Sequence, residues 1–311
     1  MIRINKPKWG AASAIAMATA AMAGLASTTT AHAETIIGLT TTNALVSFDS
    51  LAPTLSTTAF NITGLAGADE RILGIDLRPA TGLLYGLGSA GNLYTLNANT
   101  GGATFIAALK ADPADATSPF AGLMGSSFGI DFNPTVDRIR ITSNAGQNLR
   151  INPMTGLVTT DTSLNGATTS IAASAYTNND KNPATGTALY GIDGATDMLY
   201  TQAPPNDGVQ TAVGALGVNT SNVAGFDISG ATGIAYASLT DGDTSKSGLY
   251  TVNLATGAAS LVGAFGFGGS TASAPPLLDI TVAAIPEPSS MAMLAAGLIG
   301  IGFASRRRVS R

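Results

Sequence analysis

A module of about fifty residues recurs along this chain, and this repeat constrains the fold more than any other sequence feature. In its clearest copy, four short apolar runs, strands A to D, are separated by Gly, Asn and Pro turns. That copy starts at Gly74-Ile75-Asp76, passes through Leu84-Tyr85 and Leu93-Tyr94, and ends with residues 104–109. The later copies start at Gly129-Ile130-Asp131, near Ala175-Tyr176, and at Gly225-Phe226-Asp227. Repeats of this length and composition are typical of propeller blades.

The two ends of the chain together supply one more copy. Residues 36–39 align with 84–87 and residues 45–49 with 93–97, so the N-terminus supplies strands B, C and D. The missing strand A lies at the far end, over residues 277–282. A blade shared between the termini closes a ring without a free edge. The sequence therefore predicts an all-β fold, a five-bladed β-propeller. A β-sandwich is the alternative, and it does not explain the offset between the ends.

Composition excludes several chemistries. The chain has 311 residues, no cysteine, one histidine (His32) and one tryptophan (Trp9), and both single residues lie in a segment predicted to be removed. The mature domain then has neither imidazole nor thiol, which excludes Ser-His-Asp catalysis and metal sites built on His or Cys. Residues 34–285 carry 18 acidic and 8 basic side chains, a net charge of −10. Such an acidic surface argues against nucleic acid as a partner.

Residues 1–33 have the pattern of a secretory signal peptide. Arg3, Lys6 and Lys8 form a basic start, an alanine-rich apolar run follows over residues 10–26, and Ala31-His32-Ala33 is a small-residue cleavage site. A first transmembrane helix is the alternative, but the run is short for one. We expect export, with residues 34–285 as the propeller domain.

The C-terminal residues 286–311 contain three features in order. These are Pro286-Glu287-Pro288, an apolar stretch over 291–304, and Arg306-Arg307-Arg308. They resemble the PEP-CTERM sorting signal of Gram-negative bacteria that make extracellular polysaccharide. The resemblance implies cleavage near the Pro-Glu-Pro by the membrane protease exosortase. The arginines favour a cytoplasmic helix end, and the short apolar stretch suits a transient passage through the inner membrane. We therefore expect a periplasmic, cell-surface or extracellular location.

Several longer motifs resemble the bacterial domain of unknown function 4394, and they span nearly the whole mature chain. They are residues 128–134, 137–140, 146–150, 204–206 and 225–228, which read FGIDFNP, DRIR, GQNLR, PPN and GFDI. The resemblance implies a secreted domain without an assigned activity. It adds no catalytic residue.

Blade two carries arginines where other blades carry tyrosines, since Arg140 replaces Tyr85 and Arg150 replaces Tyr94. If residues 144–146 form a three-residue hairpin loop, Arg140 lies opposite Arg150, with Arg138 and Asn148 on the same face. Like charges in this arrangement need anions between them. The sequence leaves two sources open: the carboxylates Asp131, Asp137 or Asp161 in a structural network, or uronic-acid carboxylates of a bound polymer. Arg138, Arg140, Arg150 and Asn148 are the candidate binding residues.

An aspartate recurs at the end of strand A in four of the five blades: Asp76, Asp131, Asp227 and Asp279. A ring of carboxylates near the channel suits calcium binding or acid–base glycoside hydrolysis. An aspartate before a turn also caps that turn, and we favour this structural role. No cofactor is predicted. Calcium stays an alternative here and at two Asp/Asn loops, 241–245 and 178–182, which lack a full EF-hand pattern.

Six of the seven tyrosines recur in strands B and C, a position that favours packing between blades over stacking on sugars. Taken together, these features favour a secreted, non-catalytic surface or matrix protein that associates with exopolysaccharide. The alternative is a carboxylate-dependent, glycan-cleaving enzyme on a propeller scaffold.

Overall fold

The computed structural model describes residues 33–283, except 57, 181 and 273. In the described residues, 22 strands form five sheets of four antiparallel strands each, and two of these sheets gain a short parallel strand at one edge. The five-bladed propeller predicted from the repeat is confirmed. The predicted signal peptide, apart from Ala33, and the predicted sorting signal lie outside the described residues. No helix among the described residues is long and apolar enough to cross a membrane.

The strands follow the predicted blade pattern. The N-terminal part of blade five comprises β1 (Thr35–Thr40), β2 (Ala44–Asp49) and β3 (Ala59–Asn61). Blade one comprises β4 (Ile72–Leu77), β5 (Leu84–Gly88), β6 (Asn92–Leu96) and β7 (Ala103–Ala108). Blade two comprises β8 (Lys110–Ala111), β9 (Phe128–Asn133), β10 (Arg138–Ser143), β11 (Asn148–Ile151) and β12 (Leu157–Thr160).

The second half of the ring repeats this order. Blade three comprises β13 (Asn165–Gly166), β14 (Ala173–Tyr176), β15 (Leu189–Asp193), β16 (Met198–Gln202) and β17 (Val209–Ala215). Blade four comprises β18 (Thr220–Ile228), β19 (Ala235–Asp241), β20 (Ser247–Val252) and β21 (Ala259–Ala264). The last strand, β22 (Leu277–Val282), completes blade five. Three short 3₁₀ turns lie at Pro53–Leu55, Pro183–Thr185 and Pro205–Asp207.

The ring closes through the termini. Strand β22 pairs antiparallel with β1, with Ile280 opposite Gly38, as the offset between the chain ends predicts. The innermost strands β4, β9, β14, β18 and β22 contact one another in sequence around the centre. They approach closely because small residues recur there: a Cβ on Gly225 would lie 2.5 Å from the Asp279 Cα. Gly225 is therefore needed for the contact between blades four and five.

The core lies between the blades, where the apolar faces of neighbouring sheets meet. One cluster joins Tyr85 of blade one to Phe132 and Ile139 of blade two, and the Tyr85 and Phe132 rings meet edge to face at 5.1 Å. Tyr236 joins blade four to Ile36 and other residues of blade five in the same way. The recurring tyrosines therefore pack between sheets, as predicted for their blade positions.

Because neighbouring strands within a blade are antiparallel, the A–B and C–D connections lie on one face of the ring. Asn133 ends the innermost strand of blade two, Arg138 begins the next strand, and Arg150 lies near the end of the third. All three residues therefore lie at this face.

Candidate functional site

The strand A aspartates connect neighbouring blades. Each accepts a backbone N–H from the innermost strand of the next blade around the ring. The donors are Phe132 N to Asp76 (2.7 Å), Tyr176 N to Asp131 (3.1 Å), Val282 N to Asp227 (2.6 Å) and Ile75 N to Asp279 (2.8 Å). Three of them also accept the N–H of the residue that follows in their own strand: Leu77 N to Asp76 (2.6 Å), Ile228 N to Asp227 (2.6 Å) and Ile280 N to Asp279 (2.9 Å). The aspartates therefore bond both to the end of their own strand A and to the next blade, and a role in capping the A–B turn stays a prediction.

Asp279 does not occupy the same position as the other three. In the strand pairing, Asp76 lies opposite Tyr85 and Asp227 lies opposite Tyr236. In blade five, Ile37 takes the position of these tyrosines, and it lies opposite Thr281. Thr281 thus takes the aspartate position in blade five, and its hydroxyl oxygen lies within hydrogen-bond distance of both Asp76 (2.9 Å) and Asp227 (3.0 Å). Blade three also lacks an aspartate at this position, since Ala175 lies opposite Tyr190.

Three of the aspartates converge at the centre of the ring. Oxygens of Asp76, Asp131 and Asp227, hereafter the central carboxylates, all lie within 4.8 Å of one another, and each residue is buried. No arginine or lysine of the described residues forms a salt bridge with them. Burial raises the pKa of Asp76 and Asp131 well above the ordinary range, with the neighbouring carboxylates adding to the effect. Burial also raises the pKa of Asp227 to about 6. Carboxylates this close in a buried site oppose one another's ionisation, so the cluster binds protons up to a higher pH than free aspartates do.

This arrangement is suited to holding blades together. The distances would let three carboxylates hold a cation, but each residue already accepts a backbone N–H from the next blade. Glycoside hydrolysis needs two carboxylates that reach a substrate. Here the carboxylates are buried, and the cavity beside Asp76 measures only about 10 Å³. The geometry therefore gives no support to the glycan-cleaving alternative.

The arginines of blade two form the second charged cluster. Arg140 lies opposite Arg150 across β10 and β11, which matches the register expected from a three-residue loop. Asp161 lies between them: its carboxylate accepts from Arg140 Nη1 at 2.6 Å, from Arg150 Nε at 2.7 Å and from Arg150 Nη2 at 2.9 Å. The hydrogen bonds with Asp161 raise the pKa of Arg150. Of the three carboxylates that the sequence left open, the network uses Asp161.

The other two carboxylates have different partners. Asp131 faces the centre of the ring, as described above. The Asp137 carboxylate pairs with Arg78 of blade one, through Nε at 2.8 Å and Nη2, and this contact holds the pKa of Asp137 below its usual range. Arg138 donates Nη1 to the Asp137 backbone carbonyl at 3.0 Å. Asp161 is therefore the only carboxylate among the described residues that forms a salt bridge with Arg138, Arg140 or Arg150.

The arginines differ in exposure. The Arg140 side chain is 2% exposed and donates to Tyr176, Asn148, Asp161 and Asn206. The Arg150 side chain is 34% exposed, and Arg138 is half-buried. They border an open cavity of about 190 Å³ on the face defined above. This arginine cavity is lined by Asn133, Val136, Arg138, Arg140, Arg150, Tyr176, Pro205 and Asn206.

Asn148, a candidate binding residue, does not line the arginine cavity. It is buried, its carbonyl oxygen accepts from Arg140 and Gln202, and its amide nitrogen donates to the backbone oxygens of Thr162 and Pro205. The structure thus places it behind Arg140 as a positioning residue.

Sequence reasoning missed five lining residues: Asn133 and Val136 of blade two, and Tyr176, Pro205 and Asn206 of blade three. Two signals were present. Asn206 belongs to the Pro-Pro-Asn motif, and Tyr176 lies in the blade where the aspartate series is interrupted.

Other candidate positions take no part in this site. In the 241–245 loop, Asp241 accepts from the backbone N–H groups of Asp243 and Thr244, so it caps its own turn. In the 178–182 loop, Asp180 accepts from Asn182 N, and residue 181 lies outside the described residues. A groove of about 480 Å³ lies on the opposite face, beside the 89–91 turn. Its lining is mainly small and apolar, with Lys110 as its single charged residue.

Comparison with known proteins assigns the family. The family model described as Domain of unknown function (DUF4394) matches residues 44–274, most of the chain. The chain belongs to this family. The match covers the described blades from β2 to the connection before β22 and confirms the resemblance seen in the sequence motifs.

A second match covers the C-terminal segment. The PEP-CTERM protein-sorting motif matches residues 284–308, as the Pro-Glu-Pro, the apolar stretch and the arginines predict. The DUF4394 protein is therefore secreted and processed by exosortase, and the motif indicates export towards the cell surface.

No curated protein matches this chain. Among solved structures, a chain of the nidogen/laminin complex is 13% identical, covers 81% of this chain and 98% of its own, and has a TM-score of 0.46. A Bacteroides thetaiotaomicron protein of unknown function is 15% identical, with coverages of 81% and 66% and a TM-score of 0.46. Kuenenia stuttgartiensis hydrazine synthase is 9% identical, with coverages of 64% and 49% and a TM-score of 0.38. These low scores carry no inference about function.

Proposed function

We propose that this DUF4394 protein is a non-catalytic protein of the cell surface or extracellular matrix that associates with exopolysaccharide. Residues 1–33 direct it across the inner membrane of a Gram-negative bacterium and are removed. Exosortase then processes the C-terminal segment, which crosses that membrane only transiently. This location is supported by the sorting motif at residues 284–308, a signal that resembles those of polysaccharide-secreting bacteria.

The arginine cavity is the observation that carries the binding role. The domain has a net charge of −10, yet three of its eight cations lie within thirteen residues of blade two. Two of these, Arg138 and Arg150, border an open cavity together with polar side chains from blade three. Clefts that combine solvent access with a few convergent polar groups are the usual places for ligand recognition.

The absence of Cys and of a mature-domain His supports a non-catalytic role, together with the burial of the central carboxylates. A polymer approaching from solvent meets arginines and amides, which bind but do not supply the general acid of glycoside hydrolysis.

The test mixes the secreted, processed protein with fluorescently labelled exopolysaccharide from its own host and records the size-exclusion profile of the polymer. Binding moves the polymer to higher apparent mass, and this is the expected result. Movement to lower mass would mean cleavage and would overturn the non-catalytic assignment. An unchanged profile across a range of protein concentrations would contradict the association itself.

A further inference from the structure

Among the described residues, the three arginines of blade two have one salt-bridged carboxylate between them, that of Asp161. Asp161 contacts Arg140 and Arg150 with a single carboxylate, and Arg138 contacts a backbone carbonyl. The Asp137 carboxylate forms its salt bridge with Arg78 and also acts on Arg138 without a direct hydrogen bond. Asp115 acts on Arg150 in the same way, and its carboxylate accepts from Thr160 N. Guanidinium groups do not lose their charge at physiological pH, so Arg138 and Arg150 can attract an anion that enters the cavity beside them.

The unused hydrogen-bonding capacity points into the cavity. Arg140 uses four of its five N–H donors on four side chains and is almost fully buried. Arg150 uses Nε and Nη2 on Asp161, and Arg138 uses Nη1 on the Asp137 carbonyl. The remaining guanidinium N–H groups of Arg138 and Arg150 lie at a solvent-accessible cavity that both side chains border. Two guanidinium groups at one opening suit a carboxylate, which each can grip through paired N–H donors.

The lining suits a sugar around that carboxylate. Asn206 accepts from Arg140 through Oδ1 at 2.7 Å, which directs its amide Nδ2 away from Arg140 as a donor for a hydroxyl. Asn133 adds a second amide, and Val136 and Pro205 offer apolar surface to C–H groups. A volume of about 190 Å³ is small beside the ~300–1,000 Å³ of pockets that enclose whole drug-sized ligands. The cavity therefore fits one sugar unit of a longer chain.

We propose that the arginine cavity binds a uronate unit of an acidic polysaccharide, with Arg138 and Arg150 as the carboxylate-binding residues. Arg140 is a positioning residue that holds Asp161, Asn148 and Asn206 in place. This inference rests on the proposed function and specifies its ligand class.

The test compares two polymers that share a backbone and differ in charge: polygalacturonate and its fully methyl-esterified form. Affinity of the secreted protein for each is measured at constant ionic strength by the change in polymer mobility. We expect the esterified form to bind at least about tenfold more weakly, because it lacks the carboxylates that form charge-assisted hydrogen bonds. Equal binding of the two forms would overturn the proposal.

Variants locate the site. Arg138→Gln leaves the Asp161 network intact, and Arg150→Gln removes one of its members, so each is checked for an unchanged melting curve. Each is expected to weaken polygalacturonate binding about tenfold, whereas Arg71→Gln, at an exposed arginine of blade one, leaves it unchanged. A folded Arg138→Gln protein with full affinity would overturn the assignment.

Host polysaccharide separates this proposal from the function it rests on. If wild-type protein binds the host polymer and Arg138→Gln binds it equally well, the association stands and the uronate site is wrong. If wild-type protein binds polygalacturonate but not the host polymer, the uronate site stands and the proposed association with host exopolysaccharide is wrong.

Discussion

The central carboxylates and the arginine cavity are both clusters of like charge, and they resolve that repulsion differently. Asp76, Asp131 and Asp227 are buried without a cationic partner among the described residues, and burial raises the pKa of each, so the cluster binds protons up to a higher pH than free aspartates do. Arginines cannot reduce their repulsion by a change of protonation, because the guanidinium group stays charged. Asp161 neutralises part of the cluster, and the rest faces an opening.

This difference suits the central carboxylates to a structural role and the arginine cavity to ligand recognition. A carboxylate cluster neutralises itself with protons and can therefore lie at the sealed centre of the ring, where it joins one blade to the next. The guanidinium cluster shares a single salt-bridged carboxylate, and two of its arginines are partly exposed at the cavity, where solvent or an anion can solvate them. Of the two regions, the arginine cavity is therefore the one suited to a ligand.

The largest expected effect follows removal of the buried arginine. Arg140→Ala leaves Asn148, Asn206 and half of the Asp161 pairing without a buried partner, so we expect the free energy of unfolding to fall by about 3–5 kcal/mol. Urea unfolding measures this change. Arg71→Ala, at an exposed position, should change stability by no more than about 0.5 kcal/mol. Equal effects of the two substitutions would show that the Arg140 network is not formed.

The next effect concerns pH and the central carboxylates. Their pKa values are higher in the folded than in the unfolded chain, so the folded state binds more protons and loses stability as pH rises. For Asp227, whose pKa rises from 3.8 to about 6, the loss between about pH 4 and pH 7 is on the order of 3 kcal/mol. Glu34 acts on Asp227 in the same direction, and Asp279, also buried with a raised pKa, adds to the trend.

Other carboxylates limit this trend at low pH. Asp137, beside Arg78, has a lowered pKa, so its stabilising contribution is present above about pH 4 and is lost below it. We therefore expect maximal stability near pH 4–5, as measured by thermal melting across pH 3–8 in chelator. A melting temperature that rises steadily up to pH 8 would contradict proton retention by the central carboxylates.

The smallest expected effect follows a substitution that removes one charge from the central carboxylates. Asp131→Asn keeps an oxygen to accept from Tyr176 N and removes a carboxylate that is costly to ionise in this site. We expect the variant to be more stable than wild type at pH 8 by about 1 kcal/mol and close to it at pH 5. A large loss of stability at both pH values would mean that the cluster needs its charge, as it would if it held a cation.

Much of the fold could be predicted from this sequence because each blade is a local unit. The repeat of Gly-Ile-Asp and of the tyrosine positions indicated the blades, and the offset between the chain ends indicated the shared blade. The pairing of Arg140 with Arg150 followed from the length of one hairpin loop. These features depend on residues that are close in sequence.

Contacts between blades could not be predicted from residues that are close in sequence. The bond from Tyr176 N to Asp131 depends on how closely two innermost strands approach, which no single blade encodes. Asp279 was aligned with Asp76, yet the strand pairing gives that position to Thr281, whose short side-chain oxygen contacts Asp76. The choice of Asp161 over Asp131 and Asp137 likewise depended on neighbouring strands and on Arg78.

The most direct test of the account is a crystal structure of the processed protein with a short galacturonate oligomer. We predict one sugar unit in the arginine cavity, with its carboxylate oxygens at about 2.7–2.9 Å from guanidinium nitrogens of Arg138 and Arg150. The central carboxylates should remain free of sugar. An oligomer bound elsewhere, with the arginine cavity filled only by water, would contradict the claim that uncompensated arginine charge marks the binding site.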